Sequence, residues 1–254
     1  MKLARDTWLV YQRQLLLMAR SPVWIAVGLL QPLCYLLLFA PLLTSALAAS
    51  GAHSTADAYR VYVPGLLSAL AVMGGLFTGF TLLGELHAGV IERSRVTPVS
   101  RVALLLGRAL RETTALLIQA VLISVLAIPF GLTVGFTDLL LALALLALMA
   151  LMASSVSYGL ALLVPTDAAL GPVVNTIAQP LALLSGTLLP IALAPAWLRT
   201  AASWNPCYWA VEGMRALFAG HLDAPEVWRG LLLTGLMTAL AVAWSARLFA
   251  QRIR

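Results

Sequence analysis

Six stretches of the chain run without an Asp, Glu, Lys or Arg: Val23 to Leu43, Val61 to Gly84, Thr113 to Thr137, Leu139 to Thr166, Ala168 to Leu198 and Gly230 to Ala246. About 20 consecutive apolar residues suffice for one helical crossing of a bilayer, so the pattern predicts six spans and no strands. The fifth run is too long for one simple span and carries Pro172, Pro180, Pro190 and Pro195. It reads as a helix to about Leu189 followed by irregular chain, because proline removes a helical hydrogen bond. The sixth run is short, but Trp228 and Trp244 can anchor its ends at the two interfaces.

Composition strengthens this reading. Of the 254 residues 61% are apolar and 10% charged, and the mean hydropathy is +0.95, far from a soluble domain with about 25% charged residues. The net charge of +6 would suggest a nucleic-acid partner in a soluble protein; here topology explains it. With six spans, twelve of the sixteen cations fall on the side of the termini and four, Arg60, Arg199, Arg215 and Arg229, on the other. The positive-inside rule then puts both termini in the cytoplasm. The single lysine, Lys2, excludes a Walker A loop, which needs a lysine after its glycines, so the chain is no P-loop ATPase by itself. Cys34 and Cys207 fit neither a disulfide framework nor a zinc cluster and read as packing residues. Lys2 to Arg20 is charged and helical, unlike a cleavable leader, so the first span is expected to be an uncleaved anchor.

Two segments outside the runs carry a pattern. Residues 1–22 place Ala4, Trp8, Tyr11, Leu15 and Met18 at steps of three or four, opposite Arg5, Gln12, Arg13 and Arg20. That predicts an amphipathic helix lying on the cytoplasmic membrane surface. In the loop 85–101, Leu86, Val90 and Ile91 can face inward while Glu85, Glu92, Arg93 and Arg95 face out. This predicts a short helix parallel to the membrane, stopped at Thr97-Pro98 because Pro98 disfavours helical geometry at the residue before it. Ser100 is placed to cap the helix leading into the third span. A rigid charged helix held between two spans is suited to carry force from a soluble partner.

The residues Glu85, Gly89, Glu92-Arg93 and Thr97-Pro98-Val99-Ser100-Arg101 resemble the cytoplasmic loop of bacterial ABC-2 type permeases, the membrane subunits of type V ABC exporters. Ser203 to Leu217, with Asn205-Pro206, Tyr208, Glu212 and Arg215, is similar to that family's segment before its last span. Leu86-His87 departs from the more charged pattern of many members. Gln31-Pro32 and the overall size resemble the daunorubicin-resistance type most. The resemblance implies one all-α permease domain over 1–254, with a coupling helix between spans two and three. Glu85, Gly89, Glu92, Arg93, Arg95, Thr97 and Pro98 would dock that helix on a separate ABC ATPase subunit, with the N-terminal helix beside it. It also implies re-entrant or interfacial helices over 190–226 on the outer side, a homodimer in the bacterial inner membrane, and ATP and magnesium held by the partner subunit, none by this chain. Pro190, Pro195 and Pro206 would break that outer segment into short pieces, and Glu212 and Arg215, three apart, could pair on one helix face.

Other classes have little material. A proton-coupled carrier is expected to keep an Asp or Glu at bilayer depth, and none of the six runs holds one. Intramembrane enzymology lacks its residues, since His53, His87 and His221 lie in the predicted loops and form no ligand cluster. Within the spans Gln31, Tyr35, Phe39, Phe77, Phe80, Asn175 and Gln179 are the candidate lining of a substrate pathway. Such walls suit an apolar or amphipathic cargo, a drug-like natural product or lipid, better than the wet channel a polysaccharide or lipo-oligosaccharide would need. Ser154, Ser155 and Ser157 are expected to bond between helices, and Gly74, Gly75 and Gly79 to allow close helix approach at a dimer seam.

Overall fold

The computed structural model describes residues 2–20, 30, 33–34, 37–38, 55–89, 100–164, 166–187 and 191–252, and every regular element among them is helical. The order is α1 (Lys2–Ala19), α2 (Thr55–His87), α3 (Arg101–Ala127) with a 3-10 turn at Ile128–Phe130, α4 (Phe136–Leu163), α5 (Asp167–Leu184), a 3-10 turn at Ile191–Leu193, α6 (Ala196–Ser203), α7 (Pro206–Phe218) and α8 (Pro225–Arg252). Among the described residues four helices are long and apolar enough to cross a membrane: α2, α3 with its 3-10 turn, α4 and α8. The first expected span, Val23 to Leu43, falls almost wholly outside the described residues.

The helices do not end where the charge-free runs end. α2 starts at Thr55, before Val61, and α3 starts at Arg101, before Thr113. Each is about 40–50 Å long at 1.5 Å per residue and so outreaches a hydrocarbon core of about 30 Å, carrying charged turns into the interface. The third run does not continue to Thr137: Pro129 sits in a 3-10 turn that closes on Gly131 at φ 92°, a left-handed geometry that favours glycine. α5 stops at Leu184 rather than Leu189, since Gly186 at φ 69° turns the chain. α2 runs on through Glu85, Leu86 and His87 to a turn at Ala88 and Gly89. Glu85 and Leu86 are therefore the last turn of a long helix and not the start of a separate one.

α4 lies at the centre, against α2, α3, α7 and α8. On α2 residues 62–68 are buried all round, and beyond them the buried positions recur every three to four residues, among them Ala71-Val72, Gly75-Leu76, Gly79 and Leu82-Leu83. That recurrence is the stripe of one helix face. Gly75 and Gly79 let α4 approach along this stripe: a Cβ at Gly75 would meet Ala153 at 2.6 Å, and one at Gly79 would meet Ser157 Oγ at 2.6 Å. These glycines therefore serve a seam within the chain, not the dimer seam expected of them. Ser157 bonds across it, its hydroxyl donating to the Leu76 carbonyl and accepting from the Gly79 N–H at 2.8 Å. Ser154 instead bonds its own helix at Ala150, and the buried Ser155 hydroxyl has no partner among the described residues.

α1 packs along the first turns of α3. Tyr11, Leu15 and Met18 of the expected apolar face are half-buried, and the Tyr11 hydroxyl shares a 2.9 Å hydrogen bond with Thr114. Trp8 of that face is exposed, together with Leu9, Leu16 and Leu17. The stripe is thus divided between a helix contact and an open apolar side.

Candidate functional site

Two polar clusters sit at opposite ends of the helical body. The first is built by the segment after α5. Asn205 caps α7, its Oδ1 accepting from the Cys207 N–H at 3.0 Å, as a helix start needs because its first N–H groups lack partners. Its Nδ2 donates to the Leu181 carbonyl at 3.1 Å and to Ser185 Oγ at 3.0 Å, which holds the head of α7 on the tail of α5. Nearly three turns further along α7, Arg215 pairs with Glu212 at 2.7 Å, donates to the Gly186 carbonyl at 2.6 Å and reaches the Val61 carbonyl at 3.4 Å. The guanidinium side chain is only 10% exposed. It joins three segments far apart in sequence: α7, the end of α5 and the turn of α2 that Pro64 interrupts. Its position beside the last α5 carbonyls also puts a cation at the negative end of that helix.

Burial marks this cluster as interior. The Cys207 thiol is pushed up to about 12 by burial, with the Ser185 hydroxyl acting the other way, so it stays a neutral packing group. The Tyr208 hydroxyl is raised first by burial and then by the Glu212 and Glu226 carboxylates. Cys34, in contrast, is exposed and is not a packing residue within this chain.

The second cluster gathers where α2 ends and α3 and α5 begin. Arg108 of α3 pairs with Glu85 of α2. The Nε and Nη1 of Arg108 are buried without hydrogen-bond partners among the described residues. His87 lies 4.0 Å from Asp167, the first residue of α5, with both side chains more than half exposed. Such an exposed contact contributes little to stability. Asp6 of α1 accepts from the Ser100 N–H at 3.2 Å. Ser100 is the N-cap of α3, as its position suggested, but its hydroxyl makes no capping bond.

The expected site residues divide accordingly. Glu85 and Gly89 lie at the end of α2, whereas Glu92, Arg93, Arg95, Thr97 and Pro98 lie outside the described residues. Of the expected pathway, Gln31, Tyr35 and Phe39 lie outside them too. Phe77, 42% exposed, stacks on Phe80 at 5.7 Å between ring centroids. A Cβ at Gly171 of α5 would meet the Phe80 ring at 3.8 Å. Asn175 and Gln179 follow Gly171 at steps of four on the same helix face, and both are exposed. The structure therefore gives α2 and α5 a shared open side that is apolar at Phe77 and Phe80 and amide-bearing at Asn175 and Gln179. Asn205, Pro206, Tyr208, Glu212 and Arg215 all fall on α7 or its cap. The sequence did not point to Arg108 or Asp6, whose partners are 23 and 94 positions away; α3 carries Arg101, Arg111 and Glu112 as well, so charge alone did not single out the first.

Residues 5–219 match the family model described as ABC-2 type transporter. A protein of Cyanophora paradoxa named transport permease ycf38 is 27% identical over 218 residues, covering 85% of this chain and 74% of its own. Its namesake in Porphyra purpurea is 27% identical over 210 residues, covering 82% and 72%. The daunorubicin resistance ABC transporter permease protein DrrB1 of Streptomyces coeruleorubidus is 23% identical over 239 residues, covering 93% and 83%.

Proposed function

Starting from the fact that the chain belongs to the ABC-2 type transporter family, we propose that it is the membrane-spanning subunit of an ATP-driven exporter for an apolar or amphipathic molecule. It works as a homodimer in the bacterial inner membrane, with six spans and both termini in the cytoplasm. A separate ABC ATPase subunit binds and hydrolyses ATP with magnesium, since this chain, with Lys2 as its one lysine, has no Walker A loop. Glu85, Gly89, Glu92, Arg93, Arg95, Thr97 and Pro98 couple the ATPase to the spans. Charged side chains there suit charge-assisted hydrogen bonds to a soluble partner. Closure of the ATPase subunits would move this region as a rigid body and repack the spans.

The observation that carries the cargo reading is the open side shared by α2 and α5. Phe77 and Phe80 stack there with nothing charged beside them on α2 until Glu85. Neutral amides at Asn175 and Gln179 are its polar groups, a lining that suits a hydrophobic solute with a few hydrogen-bonding sites. The printed name of the Streptomyces relative, a daunorubicin resistance permease, points the same way. Inside-out vesicles holding the chain and its ATPase should accumulate daunorubicin only with ATP. Phe77→Ala should alter stimulation of ATP hydrolysis by apolar compounds several-fold without altering assembly. Stimulation by long glycans alone would overturn the cargo reading, and uptake without the ATPase subunit would overturn the exporter reading.

A further inference from the structure

The junction of α1 with the head of α3 is not used by the reading above. A helix start leaves backbone N–H groups without partners, and a common remedy is a capping box, in which the side chain three residues into the helix reaches back to the N-cap N–H. In α3 that third position is Ala103, which has no such side chain. Asp6, 94 positions earlier, supplies the missing acceptor: its Oδ2 takes the Ser100 N–H at 3.2 Å. A carboxylate is also the favoured charge at the positive end of a helix. Below this contact α1 is seated closely. A Cβ at Gly107 would meet Val10 at 2.7 Å, and Tyr11 bonds Thr114 at 2.9 Å. One carboxylate from α1 thus holds the first turn of α3 at the point where the chain arrives from residues 90–99.

We propose that Asp6 is a positioning residue for coupling. It seats the first turn of α3 on α1, so that force arriving at Ser100 moves α1 and α3 together instead of being lost in fraying of the first helical turn. The proposal rests on the permease reading. It assigns to α1 a mechanical role through one hydrogen bond, apart from any contact α1 makes with the membrane.

The test exploits the backbone at Ser100, whose φ of −63° is the value proline imposes. Ser100→Pro therefore suits the backbone dihedral of residue 100 while deleting the N–H that Asp6 holds, and it requires the Asp6 carboxylate to turn aside from the ring. In vesicles containing the chain with its ATPase, daunorubicin moved per ATP should fall about fivefold in Asp6→Ala, the equilibrium equivalent of losing one helix cap. Ser100→Pro should show a similar fall, and the double variant no more than either alone. Asp6→Asn keeps an acceptor oxygen and should retain most of the ratio. Assembly with the ATPase should be unchanged throughout. Additive losses, or a loss of ATPase binding in Asp6→Ala that Ser100→Pro does not share, would overturn the proposal. Amide hydrogen exchange over residues 100–104 of the purified chain separates this from the permease reading. Faster exchange in Asp6→Ala is expected whether or not the vesicles transport, and unchanged exchange overturns the cap. If the wild-type vesicles fail to take up daunorubicin with ATP, the daunorubicin cargo reading falls, and with it the coupling role as argued from daunorubicin moved per ATP.

Discussion

The two ends of this helical body are tied together by different chemistry. At the end held by α7, Arg215 and Asn205 spend most of their hydrogen bonds on backbone groups: the carbonyls of Val61, Leu181 and Gly186, and the amide of Cys207. At the other end the ties are between ionisable side chains, Glu85 with Arg108 and His87 with Asp167, or from a carboxylate to one amide, Asp6 to Ser100. Backbone partners cannot swing away, and a buried guanidinium left without them would be costly. The exposed His87–Asp167 pair can part and re-form at little cost, and although Arg108 is as buried as Arg215, its partner Glu85 is a side chain that is one-third exposed. The difference teaches that the α7 end is a fixed junction and the end at Glu85 a compliant one. That is the arrangement expected if motion enters at the compliant end.

Three experiments sharpen or break this contrast. The largest effect is expected from Arg215→Met, which leaves Glu212 and two carbonyls without their donor and should cost about 2–4 kcal/mol of stability, as for breaking a buried pair. Thermal unfolding in lipid nanodiscs would measure it. Arg215→Lys should recover little, since one ammonium cannot reproduce a fork that serves three directions. An intermediate effect of about 1–2 kcal/mol is expected for Asn205→Ala, which loses a cap and two buried bonds. Asn205→Asp keeps the capping oxygen but not the Nδ2 donors, and should fall between the two; stability equal to Asn205→Ala would mean that the cap contributes nothing. The smallest effect belongs to Glu85→Gln, about 1 kcal/mol or less because Glu85 is one-third exposed. Raising salt from about 0.1 to about 1 M shortens the screening length from about 10 to about 3 Å. It should erase the difference between Glu85→Gln and wild type while leaving the Arg215→Met deficit intact. A deficit at Arg215 that salt also erased would remove the distinction between the ends.

Much of this was legible before any coordinates, and the parts that were not have physical reasons. The Glu212–Arg215 pair followed from a spacing of three, and the break-up of 190–226 into α6 and α7 followed from its prolines. The carbonyls that complete the Arg215 cluster could not be read, because backbone acceptors carry no sequence signature and Val61 is 154 positions away. Charge-free runs located α2, α4 and α8 but misjudged their ends. A helix does not stop at the edge of the hydrocarbon, and the Arg101 to Arg111 turns of α3 are helical in spite of their charges. The stop at Pro129 and Gly131 was written in the sequence as a turn signal, yet an apolar run conceals it. Which side of α2 is buried was not legible, because a helix that is apolar all round carries no amphipathic stripe. The glycines at 75 and 79 announced a close contact without saying with what.

That contact has a consequence for how the chain is made. Gly79 and Ser157 are 78 residues apart, so at about 5–20 residues per second the ribosome delivers the second roughly 4–16 s after the first. During that interval α4 is not yet available to fill the glycine notch of α2. The Arg215 junction closes after a further stretch of synthesis, since its donor follows Ser157 in the chain. Assembly of this protein is thus ordered in time by its own connectivity. A ribosome stalled before α4 would present α2 with the groove at Gly75 and Gly79 not yet filled by the helix that closes it.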